Sequence, residues 1–149
     1  MADHKRKTIR DGVKALLVAG VPGLAGRVYS QRMFPVQRDE LPCAVVFTSD
    51  ESSLRNNLNR RTLTRSLAVV VAIKASGAED EVEDAVDALA VLVEQALADK
   101  GFGIAGVQDS YLERTTTSLD GQSQLPLGSL ALVYRVAYRT QPESPDAFA

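Results

Sequence analysis

Side chains that could act as nucleophiles, bases or metal ligands are sparse in this sequence. His4 is the only histidine and Cys43 the only cysteine among 149 residues. A catalytic histidine needs positioned partners, whereas His4 stands beside a basic run close to the N-terminus. Cys43 falls in an apolar stretch, in which a buried thiol is unreactive. We therefore predict no catalytic residue, no metal site and no cofactor.

The common motifs for phosphate binding, hydrolysis and zinc proteolysis do not occur in the sequence. The glycine-rich segment 101–106, GFGIAG, follows a predicted helix instead of opening one, so it lacks the geometry of a phosphate-binding loop. We expect that the chain is not an enzyme.

Charged residues form two clusters of opposite sign. The acidic cluster opens the second predicted helix, where carboxylates are solvated and interact favourably with the helix N-terminus; it comprises Glu79, Asp80, Glu81, Glu83, Asp84 and Asp87. The basic cluster comprises Arg55, Arg60, Arg61 and Arg65. A formal charge of -2 with 5% aromatic residues is not typical of a nucleic-acid-binding protein. The basic cluster is either a protein contact or a solvated loop.

The composition predicts one globular domain. The chain has 45% hydrophobic and 24% charged residues, and a domain of this length buries roughly two-thirds of its unfolded surface. A single cysteine excludes an internal disulfide. No stretch approaches the ~18 apolar residues that cross a bilayer. We expect one domain over residues 1–139 and a mobile tail over residues 140–149, which contain two prolines.

Hydrophobic periodicity predicts a two-layer α+β domain. Apolar residues recur at helical spacing in two segments and alternate in the others; the predicted helices are 8–19 and 79–100, and the predicted strands are 28–32, 41–48, 63–74, 107–116 and 129–139. Three strands, 41–48, 63–74 and 129–139, place bulky residues on one face. In the first of them these residues include Cys43, Val45 and Phe47. We predict a mixed, mainly antiparallel sheet with both helices packed on that bulky face. The polar stretch 49–61 is expected to be an exposed loop.

The segment 27–48, RVYSQRMFPVQRDELPCAVVFT, has two strand-like pieces around a charged connection that contains prolines. Together with the N-terminal helix, the long strand 63–74, the helix 79–100 and the closing strand LALVYRVAYR, it resembles the U-type tail terminator family of long-tailed bacteriophages and prophages. The resemblance covers nearly the whole chain and lies in the order of elements.

The resemblance implies a structural protein that forms a hexameric ring on the head-proximal end of a completed tail tube. Such a ring stops tube polymerisation and provides the surface to which the head joins. The implied partners are further copies of the chain, the major tail tube protein and a head-completion or neck protein. DNA would pass through the ring without specific binding, and no membrane is involved. The protein would reside in the virion tail, and in the host cytoplasm during assembly.

Charged residues are the candidates for contacts within such a ring. We expect Arg32, Arg38, Asp39 and Glu40 of the connection to contact a neighbouring subunit or the tail, together with Arg55, Arg60, Arg61 and Arg65. The acidic residues Glu79, Asp80, Glu81, Glu83 and Asp84 are candidates for a lumen or a contact patch.

Other functions remain open from the sequence. A neck or tail-completion connector shares the size and the lack of catalytic residues. A small-ligand-binding or enzymatic α+β domain would have a pocket between the sheet and its helices. A nucleic-acid-binding accessory protein would use the arginine cluster and bind DNA with a strong dependence on salt.

Overall fold

The computed structural model describes residues 3–30, 38–56, 61–77, 81–120 and 127–149. They form two layers, a sheet and a pair of helices. The helices are α1 (Lys5–Gly20) and α2 (Val82–Ala96), and the strands are β1 (Val28–Ser30), β2 (Cys43–Arg55), β3 (Leu63–Ser76), β4 (Val107–Asp120) and β5 (Leu127–Thr140). The predicted α+β fold is confirmed.

The five strands form one mixed sheet in the order β1-β2-β3-β5-β4. β1 runs parallel to β2, and the other neighbours are antiparallel. β3 and β5 form the centre and pair over their full lengths, from Leu63 with Thr140 to Ser76 with Leu127. The sheet therefore has β4 at one edge and the short β1, beside β2, at the other.

Both helices pack on one face of this sheet. α1 contributes Ile9, Val13 and Leu17 to the core, at the spacing of one helical face. α2 buries Val82, Val86, Ala90 and Val93 in the same way. α1 lies over β1 and β2, and α2 lies over β3 and β5. The bulky residues of β3 and β5 face the helices, as predicted; they are Leu67, Val69, Val71, Ile73, Leu130, Leu132, Tyr134, Val136 and Tyr138.

The predicted orientation of β2 is wrong. Ala44 and Val46 face the helices, whereas Phe47 lies on the other face and is 38% exposed. Directly paired residues share a face of the sheet, and Phe47 pairs with Val70, which belongs to a separate apolar cluster. Pairing with β3, and not the size of the residues, therefore decides which side chains of β2 face the helices.

The predicted loop over residues 49–61 is also wrong in part. β2 continues to Arg55 after an irregularity between Thr48 and Glu51, and it pairs with β3 from Glu51 onward. The 14 residues of β3 extend about 46 Å, but the 16 residues of α1 only about 24 Å. Because this end of the sheet runs beyond the helix layer, its residues need no apolar alternation. Residues 57–60 lie outside the described chain.

The C-terminal end of α2 differs from the prediction, whereas residues 79 and 80 of the predicted start lie outside the described residues. The helix begins at Val82 and ends at Ala96. A short 3-10 segment, Lys100–Gly103, follows, in which Gly101 and Phe102 have φ angles of 62° and 56°. This left-handed backbone cannot continue a helix. Gly101 also lies so close to the Val107 carbonyl that a Cβ atom would stand 2.7 Å from its oxygen.

The C-terminal segment 141–149, for which the sequence predicts mobility, lies against the domain. The Phe148 ring meets the buried Tyr138 ring edge to face, with centroids 6.0 Å apart. The Lys5 ammonium lies 4.9 Å from the Phe148 ring centroid, and the Lys5 amide donates to the Pro145 carbonyl. These contacts join the chain terminus to the start of α1.

Candidate assembly surfaces

The charged connection is described only at its end. Arg32 lies outside the described residues, and so does the side chain of Arg38. The 3-10 turn Arg38–Glu40 carries Asp39 exposed and Glu40 half-buried. It leads into the start of β2. Contact of these residues with a neighbouring subunit stays a prediction.

The described members of the predicted basic cluster do not form one patch. Arg55 at the end of β2 and Arg61 just before β3 are exposed, and Arg60 lies outside the described residues. Arg65 is only 11% exposed, and its Nη1 lies 3.2 Å from the Glu51 carboxylate. The Arg65 Nε donates to the Thr140 hydroxyl at 2.8 Å. Arg65 therefore has partners inside the chain, and its proposed role at an interface stays a prediction.

Arg65 belongs to a buried polar cluster centred on Glu51. The Glu51 side chain is 8% exposed and accepts hydrogen bonds from Arg6 at 3.1 Å, from Arg65 and from the Tyr138 hydroxyl. These residues join α1, β2, β3 and β5. Burial raises the pKa of the Tyr138 hydroxyl above its usual value, and the bond to Glu51 raises this pKa further. Sequence reasoning missed Glu51 because it placed the residue in a loop.

His4 has a structural role in the described chain. Its Nδ1 accepts a hydrogen bond of 3.1 Å from the Arg6 amide and thereby caps α1. Burial lowers the pKa of His4, and the positive charges of Arg6 and Arg65 lower it further. The neutral imidazole is the form that can accept this bond.

The acidic residues at the start of α2 are exposed where they are described. Glu81 immediately precedes the helix, and Glu83 and Asp84 lie in its first turn. Glu79 and Asp80 lie outside the described residues. A lumen-facing or contact role for this group stays a prediction.

One flank of α2 is acidic along its length. Leu89 and Ala96 mark the side toward α1, because Ala96 approaches Gly20 at the end of α1 and Leu89 approaches Gly23 just after it. On the opposite side, toward β4, a helical projection places the exposed carboxylates of Glu83, Asp87 and Glu94. Burial raises the pKa of Tyr134 on β5 to about 12, and the nearby Glu94 charge contributes to this rise. We call Glu83, Asp87 and Glu94 the acidic flank.

The matching flank of α1 is basic. Ile9, Val13 and Leu17 point into the core, and the side away from α2 carries Lys7, Arg10 and Lys14. Lys7 forms ion pairs with Asp3 and Asp11, whereas no ion pair within 4 Å joins Arg10 or Lys14 to another described residue. We call Lys7, Arg10 and Lys14 the basic flank. The spacing i, i+3, i+7 signals it in the sequence, but the prediction overlooked it.

The edge strand β4 is accessible. Every residue of segment 113–118, ERTTTS, is exposed, and its threonines favour extended backbone. Two irregularities interrupt pairing with β5 before Arg114, but the register is regular from Arg114 to Asp120. No described residue pairs with the outer side of this stretch.

The sheet face opposite the helices carries a smaller apolar cluster. Ala68, Val70 and Val133 form it, and Phe47 and Tyr111 are exposed on the same face. Beside them Arg135 binds Glu113 at 3.0 Å and Asp50 at 3.7 Å.

Within the described ranges, no group of three or more His, Cys, Asp or Glu side chains is arranged to hold a metal ion. The described helices also include none with the length and apolar character needed to cross a membrane.

Comparison with known proteins identifies the fold. No protein-family model and no curated protein matches the chain. A solved structure, the virion of a native gene transfer agent (GTA) particle, contains a chain similar to this one, with a TM-score of 0.62 and 16% sequence identity. The similarity covers 88% of this chain and 94% of that chain. At this level of identity it shows a common fold.

Proposed function

We propose that this protein is a structural, non-enzymatic component of a phage-like virion. The observation that carries the proposal is the shared fold with a chain of a gene transfer agent virion, which spans 88% of this chain and 94% of the other. The surface agrees with an assembly role, because charge of opposite sign lies on opposite flanks of the helix layer.

Within the virion we propose the role of tail terminator. The protein would form a hexameric ring on the head-proximal end of the tail tube, stop tube growth and provide the surface for head joining. The order of elements supports this role, since α1, the charged connection, the long strand β3, α2 and the closing strand β5 follow one another in the order on which the resemblance to that family rests. Its partners would be further copies, the tail tube protein and a neck protein.

DNA would pass through this ring without being bound. The chain has a formal net charge of -2, and the exposed Glu81 and Asp84 at the start of α2 lie outside the acidic flank. A surface with this charge repels phosphate, which lets the genome slide. The protein would belong to the virion tail and would be present in the host cytoplasm during assembly.

Electron microscopy of particles from a producing strain tests this function. The gene is interrupted, and the wild-type gene supplied in trans is the control. We expect overlong, headless tails without the protein and tails of normal length with it. Tails of normal length beside unattached filled heads would assign the protein to the neck. Intact infectious particles would refute a virion role.

A further inference from the structure

Copies of a chain can join through the open edges of their sheets. An edge strand presents unpaired amide and carbonyl groups, which pair readily with another strand. β4 offers such an edge from Arg114 to Asp120, with exposed side chains through Ser118 and regular register. This stretch contains no proline and no lysine, the residues that commonly protect edge strands.

Among the described residues, the opposite edge of the same sheet also has a stretch without a partner strand. The described pairing of β1 with β2 stops at Ser30 with Val46. No described residue pairs with that side of β2 between Phe47 and Arg55. The two edges are chemically different, so a contact between them is heterologous and generates a closed ring or an open filament.

The charges of the helix layer indicate which edge of one copy meets which edge of the next. α1 contains five basic residues and one acidic residue, a net charge of +4, whereas α2 contains four acidic residues and no basic one, a net charge of -4. Because α1 lies over β1 and β2, the basic flank borders that edge. The acidic flank borders the β4 edge. Two like edges would bring together flanks of the same sign, and two unlike edges bring together flanks of opposite sign.

We propose that copies of this chain assemble head to tail, with β4 of one copy extending the sheet of the next beside β2 and the acidic flank facing the basic flank. One exposed valine accompanies each flank, Val91 on α2 and Val18 on α1, and adds apolar contact. This interface deepens the proposed function, on which it rests for the number of copies in the ring.

Charge reversal gives a test that depends on direction. Variant A is Asp87→Lys/Glu94→Lys, and variant B is Arg10→Glu/Lys14→Glu. Each variant places two flanks of like sign together, so we expect its self-association to weaken by roughly tenfold or more. In an equimolar mixture every contact again joins unlike flanks, and assembly should return. Asp84→Lys/Glu143→Lys, which alters two exposed carboxylates outside both flanks, is the matched control.

Sedimentation velocity and native mass spectrometry of the purified full chain measure the outcome. Wild-type protein that stays monomeric up to about 1 mM in low salt would overturn the proposal. Assembly of variant B alone would do so too, because it would indicate contact between two β4 edges. A mixture of A and B that stays monomeric would exclude the pairing of the two flanks.

Proline substitution tests the strand pairing. Successive amides of a strand point in opposite directions, so one of Thr116 and Thr117 donates to β5 and the other points outward. Of Thr116→Pro and Thr117→Pro, we expect one to keep the wild-type melting temperature and yet lose assembly, while alanine at that position, which keeps the amide, assembles normally. A thermally stable proline variant that assembles would refute edge pairing. If both proline variants lose stability, assembly of the equimolar mixture of variants A and B decides whether the proposed interface forms.

The tests of function and interface are separable. Overlong tails in the gene-interrupted strain, with a purified protein that fails these assembly tests, would leave the terminator function and remove this interface. Directional assembly in solution, with tails of normal length in that strain, would leave the interface and remove the terminator function.

Discussion

Removal of the Glu51 carboxylate should destabilise the fold more than removal of any exposed carboxylate. Glu51 is 8% exposed and binds Arg65, which is 11% exposed, and the fully buried Tyr138. Breaking a buried ion pair costs about 3–5 kcal/mol, because the remaining charge has no partner. Arg6 is 43% exposed and adds little. Since Arg65 keeps its bond to Thr140, we expect Glu51→Ala to lower the unfolding free energy by about 3 kcal/mol.

Urea denaturation at pH 7 measures this loss, with Glu113→Ala as the control. Glu113 also binds an arginine, with its carboxylate 3.0 Å from the Arg135 Nε, but it is 37% exposed. Its removal should therefore cost less than about 1 kcal/mol. In thermal melts the Glu51 variant should unfold roughly 6–12 °C below the wild type.

A double-mutant cycle identifies the Tyr138 share of this energy. Tyr138→Phe alone removes a hydrogen bond to a charged group, worth about 1.5–3 kcal/mol. In the Glu51→Ala background the hydroxyl has already lost its acceptor, so the second substitution should cost almost nothing. Equal losses for Glu51→Ala and Glu113→Ala, or strictly additive effects in the cycle, would refute the reasoning.

Three further predictions concern His4, Tyr134 and the C-terminal segment. His4→Ala should lower the unfolding free energy by about 0.5–1 kcal/mol at pH 7.5, and His4→Asp should restore it. The folded-state pKa of His4 is lowered from its usual 6.5, so the cap stabilises the fold fully above pH 6.5 and loses this effect as the pH falls below 6.5. Urea titrations at pH 5 and pH 7.5 measure this loss of stability, which the His4→Ala variant should not show. The folded-state pKa of Tyr134 is raised from 10.0 to about 12, so the unfolded chain ionises first and stability is lost as the pH rises above 10. Tyr134→Phe should reduce that slope by up to ~1.4 kcal/mol per pH unit, with denaturation curves at pH 9 and 11 as the measurement. Phe148→Ala should cost about 1–2 kcal/mol in thermal or urea unfolding, less than a fully buried phenylalanine, and an unchanged stability would indicate a detached C-terminal segment.

The layered fold could be predicted from the sequence because its central strands obey a simple alternation. In β3 and β5 most of the large apolar residues, such as Val71 and Leu132, face the helices, and Val70 and Val133 lie on the opposite face. The hairpin end of β2 could not be predicted in this way. Ser52 to Arg55 are polar or exposed because no helix covers that end, so neither side needs to be apolar. The strand forms there through backbone pairing with β3, which has no signature in residue type.

The candidate surfaces were predictable only in part. A cluster of charge along the chain is visible without coordinates, and the acidic start of α2 was recognised. The basic flank of α1 is equally periodic, but its significance depends on two facts of packing: which side of α1 contacts α2, and which edge of the sheet lies beneath it. Conversely, Arg65 is close to Arg61 in sequence, yet its side chain enters the protein toward Glu51.

We therefore expect Arg65 to stabilise the fold and Arg10 to act in the proposed interface. Loss of Glu51 removes the ionic partner of Arg65, but α1 remains anchored by Ile9, Val13 and Leu17. Glu51→Ala protein should thus assemble as the wild type does at temperatures well below its lowered melting point. Arg10→Glu/Lys14→Glu should show the opposite result, an unchanged melting temperature with lost assembly, because its side chains have no described ionic partner to lose. Sedimentation at 10 °C and thermal unfolding of both variants measure the two effects. Loss of assembly in the Glu51 variant while it is fully folded would indicate that Arg65 contributes to the interface after all.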